Sequence, residues 1–324
     1  MRMSLIQKNR MFFLKNKLFL LVFVVWAISL SFRMSTYDPT MPIVMDSLNF
    51  FSYAIDIHVL GGLPENYTVT KPGWSILLAG LFSIFDFSET DSYMQLQRIT
   101  SIIISSVIIF PLYFLCNIFV EKKYSIIGVT LFAFAPRLIE NSMNGTTDPL
   151  FILFLTMTIL FFLKNSKKSI YISFLIAGIS AIIRPEGIFL FLAISFLLIF
   201  KFKNEKFKFP KYLLAIIIFV IVLLPFALYT EQVNPGTSSF SRIIYSAAQY
   251  FQTSNEAVYT TSDGNSFIAT KTSATTGLEY FGKYLSWVMV PMFIITAPIG
   301  FLLFLKNRSY ARISIIVIAI TVSI

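Results

Sequence analysis

The sequence is poor in the residues that build disulfides, metal sites and soluble surfaces. It has a single cysteine, a single histidine and only 13% charged residues in 324 positions. One cysteine, Cys116, excludes an internal disulfide, and one histidine, His58, excludes any site built from several histidines. No spacing of acidic residues requires a metal ion, so no cofactor is predicted, although Asp46 and Asp148 have the oxygen ligands that a divalent cation would need. The low charge content also excludes an ordinary soluble domain, which carries about 25% charged residues.

Long apolar runs take the place of the missing charge. Apolar residues make up 56% of the chain and the mean hydropathy is +0.76, so a lipid bilayer is the solvent that this composition fits. The first run, Leu18 to Phe32, lacks a cleavage site of small residues and is interpreted as a retained span. The other runs lie at about 74–85, 99–120, 124–139, 149–163, 170–183, 187–202, 212–229, 284–305 and 313–324.

These runs predict an all-α polytopic transmembrane protein with about nine spans. The stretch 170–202 is too long for one span, and Arg184 to Gly187 interrupts it, so we predict two spans joined by a tight turn. We expect residues 1–324 to form a single membrane domain. The chain ends inside an apolar run at Ile324, which raises the expectation of a truncated C-terminus.

The basic residues predict the orientation. The net charge is +10, but the lysines and arginines stand in short clusters between apolar runs, which favours cytoplasmic loops over nucleic-acid binding. This pattern predicts a multi-pass protein of the cell membrane with a cytoplasmic N-terminus. It holds only if the run from Trp74 to Phe85 does not cross the membrane, so we predict that this run is interfacial or re-entrant.

With that orientation nearly all acidic residues lie outside the cytoplasm, with Glu121 and Glu205 as the exceptions. Either the acids serve an external active site, or they merely avoid the anionic inner leaflet. Two external segments are long, 33–98 and 230–283. The second is either a partly ordered lid over a site or a mobile surface loop.

The first external segment contains a predicted amphipathic helix from Ile43 to Leu60 that lies in the membrane interface. Asp46 falls in its first turn, where a carboxylate either stabilises the helix dipole or serves catalysis. Gly61 and Gly62 end the helix. The predicted apolar face carries Val44, Leu48, Phe51, Ile55 and Val59, and the polar face carries Asp46, Asn49, Tyr53 and Asp56.

Further charged residues stand at the starts of later segments. Lys71 heads the sequence Lys-Pro-Gly-Trp and either reaches lipid headgroups or binds a phosphate. Asp148 lies in Thr-Thr-Asp-Pro, which suits a helix start as well as it suits a catalytic acid. Arg184 and Glu186 flank a proline and are predicted to pair with each other or with Asp148.

In their order along the chain, these motifs resemble the integral-membrane glycosyltransferases of the C superfamily. This group includes protein O-mannosyltransferases, aminoarabinose transferases and oligosaccharyltransferase catalytic subunits. The likeness covers residues 1 to about 230. It rests on an ordered set of residues: Asp46, Tyr53, Ala54, Gly62 to Pro64, Lys71 to Trp74, Pro136, Thr147 to Pro149 and Arg184 to Gly187.

The resemblance implies a donor sugar on polyprenyl or dolichyl phosphate and transfer to a hydroxyl of a protein, glycan or lipid outside the cytoplasm. It implies Asp46 and Asp148 as catalytic residues. It implies Lys71 as a ligand of the donor phosphate. Arg184 and Arg242 are the next candidate ligands, because an arginine can stabilise the departing phosphate, and Tyr53, His58 and Glu186 are the candidate supporting residues. The chain departs from the family in having Lys-Pro-Gly for Lys-Pro-Pro and Ser47 for the second acid, which argues against a strictly mannosyl, protein-directed enzyme.

The sequence therefore favours a glycosyltransferase that uses a lipid-phosphate sugar. A transporter or flippase of lipid-linked sugars is the alternative, but it would place polar groups along the spans, which hold few charges. A non-catalytic partner subunit is the third hypothesis.

Overall fold

The computed structural model describes residues 5–43, 46–65, 72–164, 166–203, 208–236, 241, 256–260, 266–270, 299–302, 304–306 and 309–323. These residues form helices joined by short turns, together with one β-hairpin. The helices are α1 (Leu5–Thr36), α2 (Asp46–Leu60), α3 (Pro72–Phe85), α4 (Thr90–Val107), α5 (Ile109–Cys116), α6 (Lys122–Ala133), α7 (Pro136–Met143), α8 (Asp148–Leu163), α9 (Lys167–Ile183), α10 (Glu186–Lys201), α11 (Lys208–Val233) and α12 (Tyr310–Ser323).

Three stretches of helix in the described part of the chain are long and apolar enough to cross a bilayer: Lys17–Thr36, Thr90–Cys116 and Phe209–Val233. The 14 residues of α3 are fewer than the ~20 that a span needs. The helical, membrane-type architecture is confirmed, whereas the count of nine spans and the interfacial position of α3 stay predictions.

Prolines divide two apolar stretches, of which the sequence predicted only the second as divided. The run 124–139 is two helices, because Pro136 starts α7 and Ala135 before it is extended, as the residue before a proline prefers. The run 170–202 is divided between Ile183 and Glu186, and the predicted break at Arg184 and Pro185 is present.

Helices α2 and α3 run parallel to each other. Near their beginnings the Ser75 hydroxyl donates to the carbonyl of Phe50 at 2.9 Å, and near their ends His58 Nδ1 lies 2.9 Å from Ser83 Oγ. His58 comes eight residues after Phe50, and Ser83 comes eight residues after Ser75, so the two helices run in the same direction. The N-termini of α2 and α3 therefore lie at the same end of the pair.

A cluster of buried apolar side chains holds this pair against the rest of the bundle. Trp74, Leu78 and Phe82 of α3 are fully buried. They pack in one cluster with side chains of α2, α4, α8 and α9, among them Phe51, Tyr93, Phe151 and Ile183. The cluster fixes the beginnings of α3 and α8 next to the end of α9.

The predicted amphipathic face of α2 is partly wrong. Phe51 and Ile55 do pack in the cluster, but Leu48 and Val59 are 42% and 74% exposed and Tyr53 is only 3% exposed. The buried face is rotated because α2 packs sideways on α3 through Phe50, Phe51 and Ala54.

The chain divides into two compact units, residues 1–242 with 313–324, and residues 243–312. The second unit contains the antiparallel hairpin of β1 (Glu256–Thr260) and β2 (Ser266–Thr270), in which Val258 faces Ile268. The all-helical prediction did not include this hairpin. The prediction of one domain over 1–324 stays a prediction.

Candidate functional site

The strongest charge cluster joins the beginnings of α8 and α10. Arg184, in the turn between α9 and α10, donates from Nη1 to Asp148 Oδ1 and from Nη2 to Glu186 Oε1 at 2.7 Å. Asn141 Nδ2 of α7 donates to the other oxygen of Asp148 at 2.9 Å. Both ion pairs predicted for Arg184 are therefore present, and both oxygens of Asp148 are engaged.

Partial burial strengthens this cluster. The side chains of Arg184, Asp148 and Glu186 are 19%, 31% and 34% exposed. Burial alone would lower the pKa of Arg184, but its hydrogen bonds to Glu186 and the charges of both carboxylates raise it above the ordinary value. The three side chains carry a net charge of −1, since two carboxylates share one guanidinium.

The carbonyl oxygen of Gly145 connects this cluster to α3 and to the beginning of α2. It accepts a hydrogen bond from Trp74 Nε1 at 3.1 Å and another from Gln97 Nε2 at 2.9 Å. The same nitrogen of Gln97 donates to the carbonyl of Ser47 at 3.0 Å. Ser47 follows Asp46, and Gly145 lies three residues before Asp148, so the side chain of Gln97 ties the two predicted catalytic segments together.

Gly145 is suited to this position by its lack of a side chain. Its φ of +71° is in the left-handed region, and a Cβ there would lie 3.0 Å from Gln97 Cγ. Any other residue would be strained and would push Gln97 away from its acceptors.

A second glycine brings α3 against the turn that carries Arg184. A Cβ on Gly73 would lie 2.7 Å from the Cα of Ile183 and 2.8 Å from the carbonyl oxygen of Ile182. This explains the departure from Lys-Pro-Pro: a proline at 73 would collide with the backbone of α9. The first turn of α3, immediately after Lys71, therefore lies beside Arg184.

Four helices thus begin in the same region of the molecule. The N-terminus of a helix carries about half a positive charge, which favours an anion. Three acidic side chains occupy the first turns of these helices. The four helices are α2, α3, α8 and α10, and the acids are Asp46, Asp148 and Glu186.

Asp46 differs from the other two acids. Its side chain is exposed. Among the residues that the structure describes, it has neither a hydrogen-bond donor nor a cationic partner, whereas Asp148 and Glu186 are bound to Arg184. The carboxylate of Asp46 is therefore accessible to a bound molecule, whereas that of Asp148 is held by two partners.

Other predicted site residues are not brought together with Asp46. His58 lies twelve residues further along α2, about 18 Å away along the helix axis, and its Nδ1 pairs with Ser83. Tyr53 is buried in the side of α2. Lys71 and Arg242 lie outside the described residues.

Sequence reasoning missed two polar residues of α4. Gln97 is fully buried, and Arg98 is 6% exposed. Arg98 donates to the carbonyls of Met41 and Met143 at 2.8 and 2.7 Å, with the ring of Tyr37 4.5 Å from its guanidinium carbon. Both residues bind the beginning of α2 and the residues before it to the turn between α7 and α8. The available signal was a glutamine and an arginine next to each other at the start of a predicted span.

Comparisons with known proteins agree with the resemblance drawn from the sequence. Residues 71–229 match the family model described as dolichyl-phosphate-mannose-protein mannosyltransferase. No curated protein sequence matches significantly. The family match covers the segment from Lys71 through α11, which includes Gln97, Asp148 and Arg184.

The fold is similar to that of solved archaeal oligosaccharyltransferases. AglB from Archaeoglobus fulgidus, solved with an inhibitory peptide and a dolichol-phosphate, matches with a TM-score of 0.57 and 14% identity over 93% of this chain and 47% of its own. The oligosaccharyltransferase of Archaeoglobus fulgidus solved with Zn and sulfate matches with a TM-score of 0.57 and 14% identity over 91% of this chain and 45% of its own. The chain spans about half the length of these structures. The predicted family resemblance is confirmed.

Proposed function

We propose that this chain, which resembles the membrane glycosyltransferases of the C superfamily, transfers a sugar from a lipid-phosphate carrier to a hydroxyl group of an acceptor. One observation carries the proposal. Four helix N-termini meet beside an exposed carboxylate, Asp46, so an anion site and a proton acceptor lie next to each other. This is the pair of groups that transfer from a sugar phosphate to a hydroxyl requires.

The donor phosphate binds at the N-terminal end of α3. Lys71 precedes Pro72, the first residue of α3, and this turn contacts the backbone before Arg184. Since Arg184 is shared by two carboxylates, its main task is to hold Asp148 and Glu186 in place. Lys71 is therefore the first ligand of the phosphate, Arg184 the second and Arg242 the third.

The reaction is a single displacement at the anomeric carbon. The acceptor oxygen forms the new bond to this carbon while the bond to the phosphate oxygen breaks, and that electron pair leaves with the lipid phosphate. Asp46 takes the acceptor proton. The N–H groups at the helix ends and Lys71 stabilise the departing phosphate, so no step requires a metal ion.

The solved relatives support the classes of substrate. The Archaeoglobus AglB structure holds a dolichol-phosphate and a peptide, which fits a polyprenyl or dolichyl carrier here and a peptide among the acceptors. The family model is named for a mannosyl donor, and Ser47 in place of a second acid argues for a broader hexosyl donor. We further propose that the N-terminus is cytoplasmic and that the site faces the opposite side.

The decisive variant is Asp46→Asn, measured by transfer of radiolabelled sugar from polyprenyl-phosphate mannose or glucose in membranes that contain the full chain. Loss of a general base reduces the rate about 10²–10⁴-fold. Asp91→Asn is the matched control, because Asp91 is also an exposed first-turn acid, on α4. The control should retain near-full transfer.

Two results would reject the proposal. Full activity of Asp46→Asn would remove its catalytic base. Movement of a lipid-linked sugar across vesicles by purified protein, without any transfer to an acceptor, would identify the chain as a transporter.

A further inference from the structure

A pocket of mixed polarity lies at the far end of the α2–α3 pair, away from Asp46. It has a volume of about 460 Å³, within the range of about 300–1,000 Å³ that is usual for small-molecule sites. Helix α2, the start of α4 and the turn before α4 form its walls. We refer to it as the α2–α4 pocket.

The lining combines aromatic walls with hydroxyl groups and one carboxylate. Phe51 and Tyr93 supply the rings, and both belong to the buried cluster that fixes α2 and α3. Such packing keeps these rings in place before any ligand binds. The polar groups are those of Ser52, Asp56, His58, Ser88 and Thr90.

Asp56 is the group that most needs a ligand. Within the described part of the chain its carboxylate has no hydrogen bond and no ion pair. It stands in the C-terminal half of α2, away from the positive end of the helix dipole that favours an anion. A molecule that donates hydrogen bonds would give this carboxylate the partners that it lacks among the described residues.

The chemistry of the pocket selects the class of ligand. The beginning of α4 in the wall favours an anion, but the full negative charge of Asp56 repels one at shorter range. A bound metal ion is disfavoured because no three side chains of His, Cys, Asp or Glu group together among the described residues. A sugar fits the polar part of the lining, because its hydroxyls donate to a carboxylate and exchange hydrogen bonds with serine and threonine.

We infer that the α2–α4 pocket binds a sugar unit of the acceptor, remote from the hydroxyl that reacts. This inference rests on the proposed function and names the acceptor class as a saccharide. Ser52 and Asp56 lie about 9 and 15 Å from Asp46 along the axis of α2. A short oligosaccharide can therefore occupy the pocket with one end while its other end reaches Asp46.

The test is direct binding to the full chain in detergent micelles, measured by saturation-transfer NMR and titration. The probes are mannotriose, maltotriose and chitotriose. At least one should bind the wild type, and Asp56→Ala should raise its Kd at least tenfold. Ser88→Ala, on the opposite wall, should raise it about threefold. Asp91→Ala removes an acid that does not line the pocket, and its Kd should equal the wild-type value.

Two results would overturn the inference: no saccharide binds the wild type, or Asp56→Ala and Ser88→Ala both bind as the wild type does. Binding of a lysine-rich hexapeptide that depends on Asp56, with no saccharide binding, would also overturn it and assign the pocket to a basic peptide. A thermal unfolding curve like that of the wild type confirms that each variant is folded.

A transfer assay separates this inference from the proposed function. Asp46→Asn should abolish transfer and leave saccharide binding unchanged. Asp56→Ala should raise the KM for a saccharide acceptor at least tenfold and leave kcat within twofold. Binding without any wild-type transfer would reject the proposed function alone, whereas transfer unaffected by Asp56→Ala would reject the pocket alone.

Discussion

The beginnings of α2 and α8 present the same residue in opposite surroundings. Each helix starts with an aspartate on the side of the bundle where Gln97 links Ser47 to Gly145. Asp148 is held through both oxygens, by Arg184 and by Asn141. Asp46 is exposed and, among the described residues, has no polar partner.

This difference distinguishes two residues that the sequence could not distinguish. Hydrogen bonds from Arg184 and Asn141 hold the side chain of Asp148 in place. Asp46 faces solvent and is accessible to a bound molecule, which is why we propose it as the catalytic base. Their shared position at helix starts explains why the sequence alone gave both the same interpretation.

Arg184→Met should remove most of the difference between Asp148 and Asp46, because it deletes the cation that holds Asp148. It should also have the largest effect on stability. Without the guanidinium, Asp148 and Glu186 remain as two partly buried like charges. We expect the free energy of unfolding to fall by about 2 kcal/mol, below the ~3–5 kcal/mol of fully buried pairs because both acids keep about a third of their exposure.

The measurement is thermal unfolding in detergent, alone and combined with Asp148→Asn. If the two substitutions share one interaction, the double variant should be less destabilised than the sum of the single variants. Strictly additive effects would show that the pair contributes no coupling energy.

Gly73→Ala should have the next largest effect, because it lies in the first turn of α3, another helix that begins at the site. The added methyl would lie 2.7 Å from the Cα of Ile183, and backbone cannot move aside as a flexible side chain can. Overpacking of this kind costs about 1–3 kcal/mol, and we expect weaker donor binding as the first turn of α3 shifts. Both the unfolding midpoint and the KM for the donor should be measured.

Gly80→Ala is the matched control, because it lies in the same helix with nothing within 4 Å of the added methyl. It should leave activity unchanged and stabilise α3 by about 0.5–1 kcal/mol. Equal effects of the two substitutions would contradict the close contact between α3 and α9.

Gln97→Leu should cut the link between the two aspartates. It leaves the buried carbonyls of Ser47 and Gly145 with one donor fewer, at a cost of about 1–2 kcal/mol. Because Asp46 would lose its fixed distance from Asp148, kcat should fall more than stability predicts. Unchanged kcat in folded protein would show that the link has no catalytic consequence.

Arg137→Ala should have the smallest effect. Its pair with Glu140 on α7 is 3.2 Å long, but both side chains are more than half exposed. Such pairs contribute about 0–1 kcal/mol. A shift in the unfolding midpoint as large as that of Arg184→Met would contradict the contrast between exposed and partly buried ion pairs.

The sequence could predict the helices and the residues at their starts, but not how those starts meet. The break at Arg184 and Pro185 and the helix start at Asp148 follow from local rules of proline and capping. The parallel course of α2 and α3 is a tertiary feature that no local pattern contains. Periodicity also gave α2 the wrong buried face, because its neighbour packs from the side.

The motif Lys-Pro-Gly-Trp predicts a role for its lysine, Lys71, which lies outside the described residues. The reason for its glycine is visible only in the structure, where Gly73 packs against the backbone of Ile183. Gln97 was missed because a glutamine just before an apolar run carries no spacing rule. Its importance depends on two carbonyls that are about 50 residues away in opposite directions along the chain.

The connection between the parallel helices α2 and α3 is completed late during synthesis of the chain. The chain between them is fastened at Pro64, whose carbonyl accepts a hydrogen bond from Asn234 Nδ2 at the end of α11, 170 residues later. At about 5–20 residues per second, a ribosome needs roughly 10–30 s to make that distance. The hydrogen bond that fastens Pro64 therefore forms only after α11 has been made.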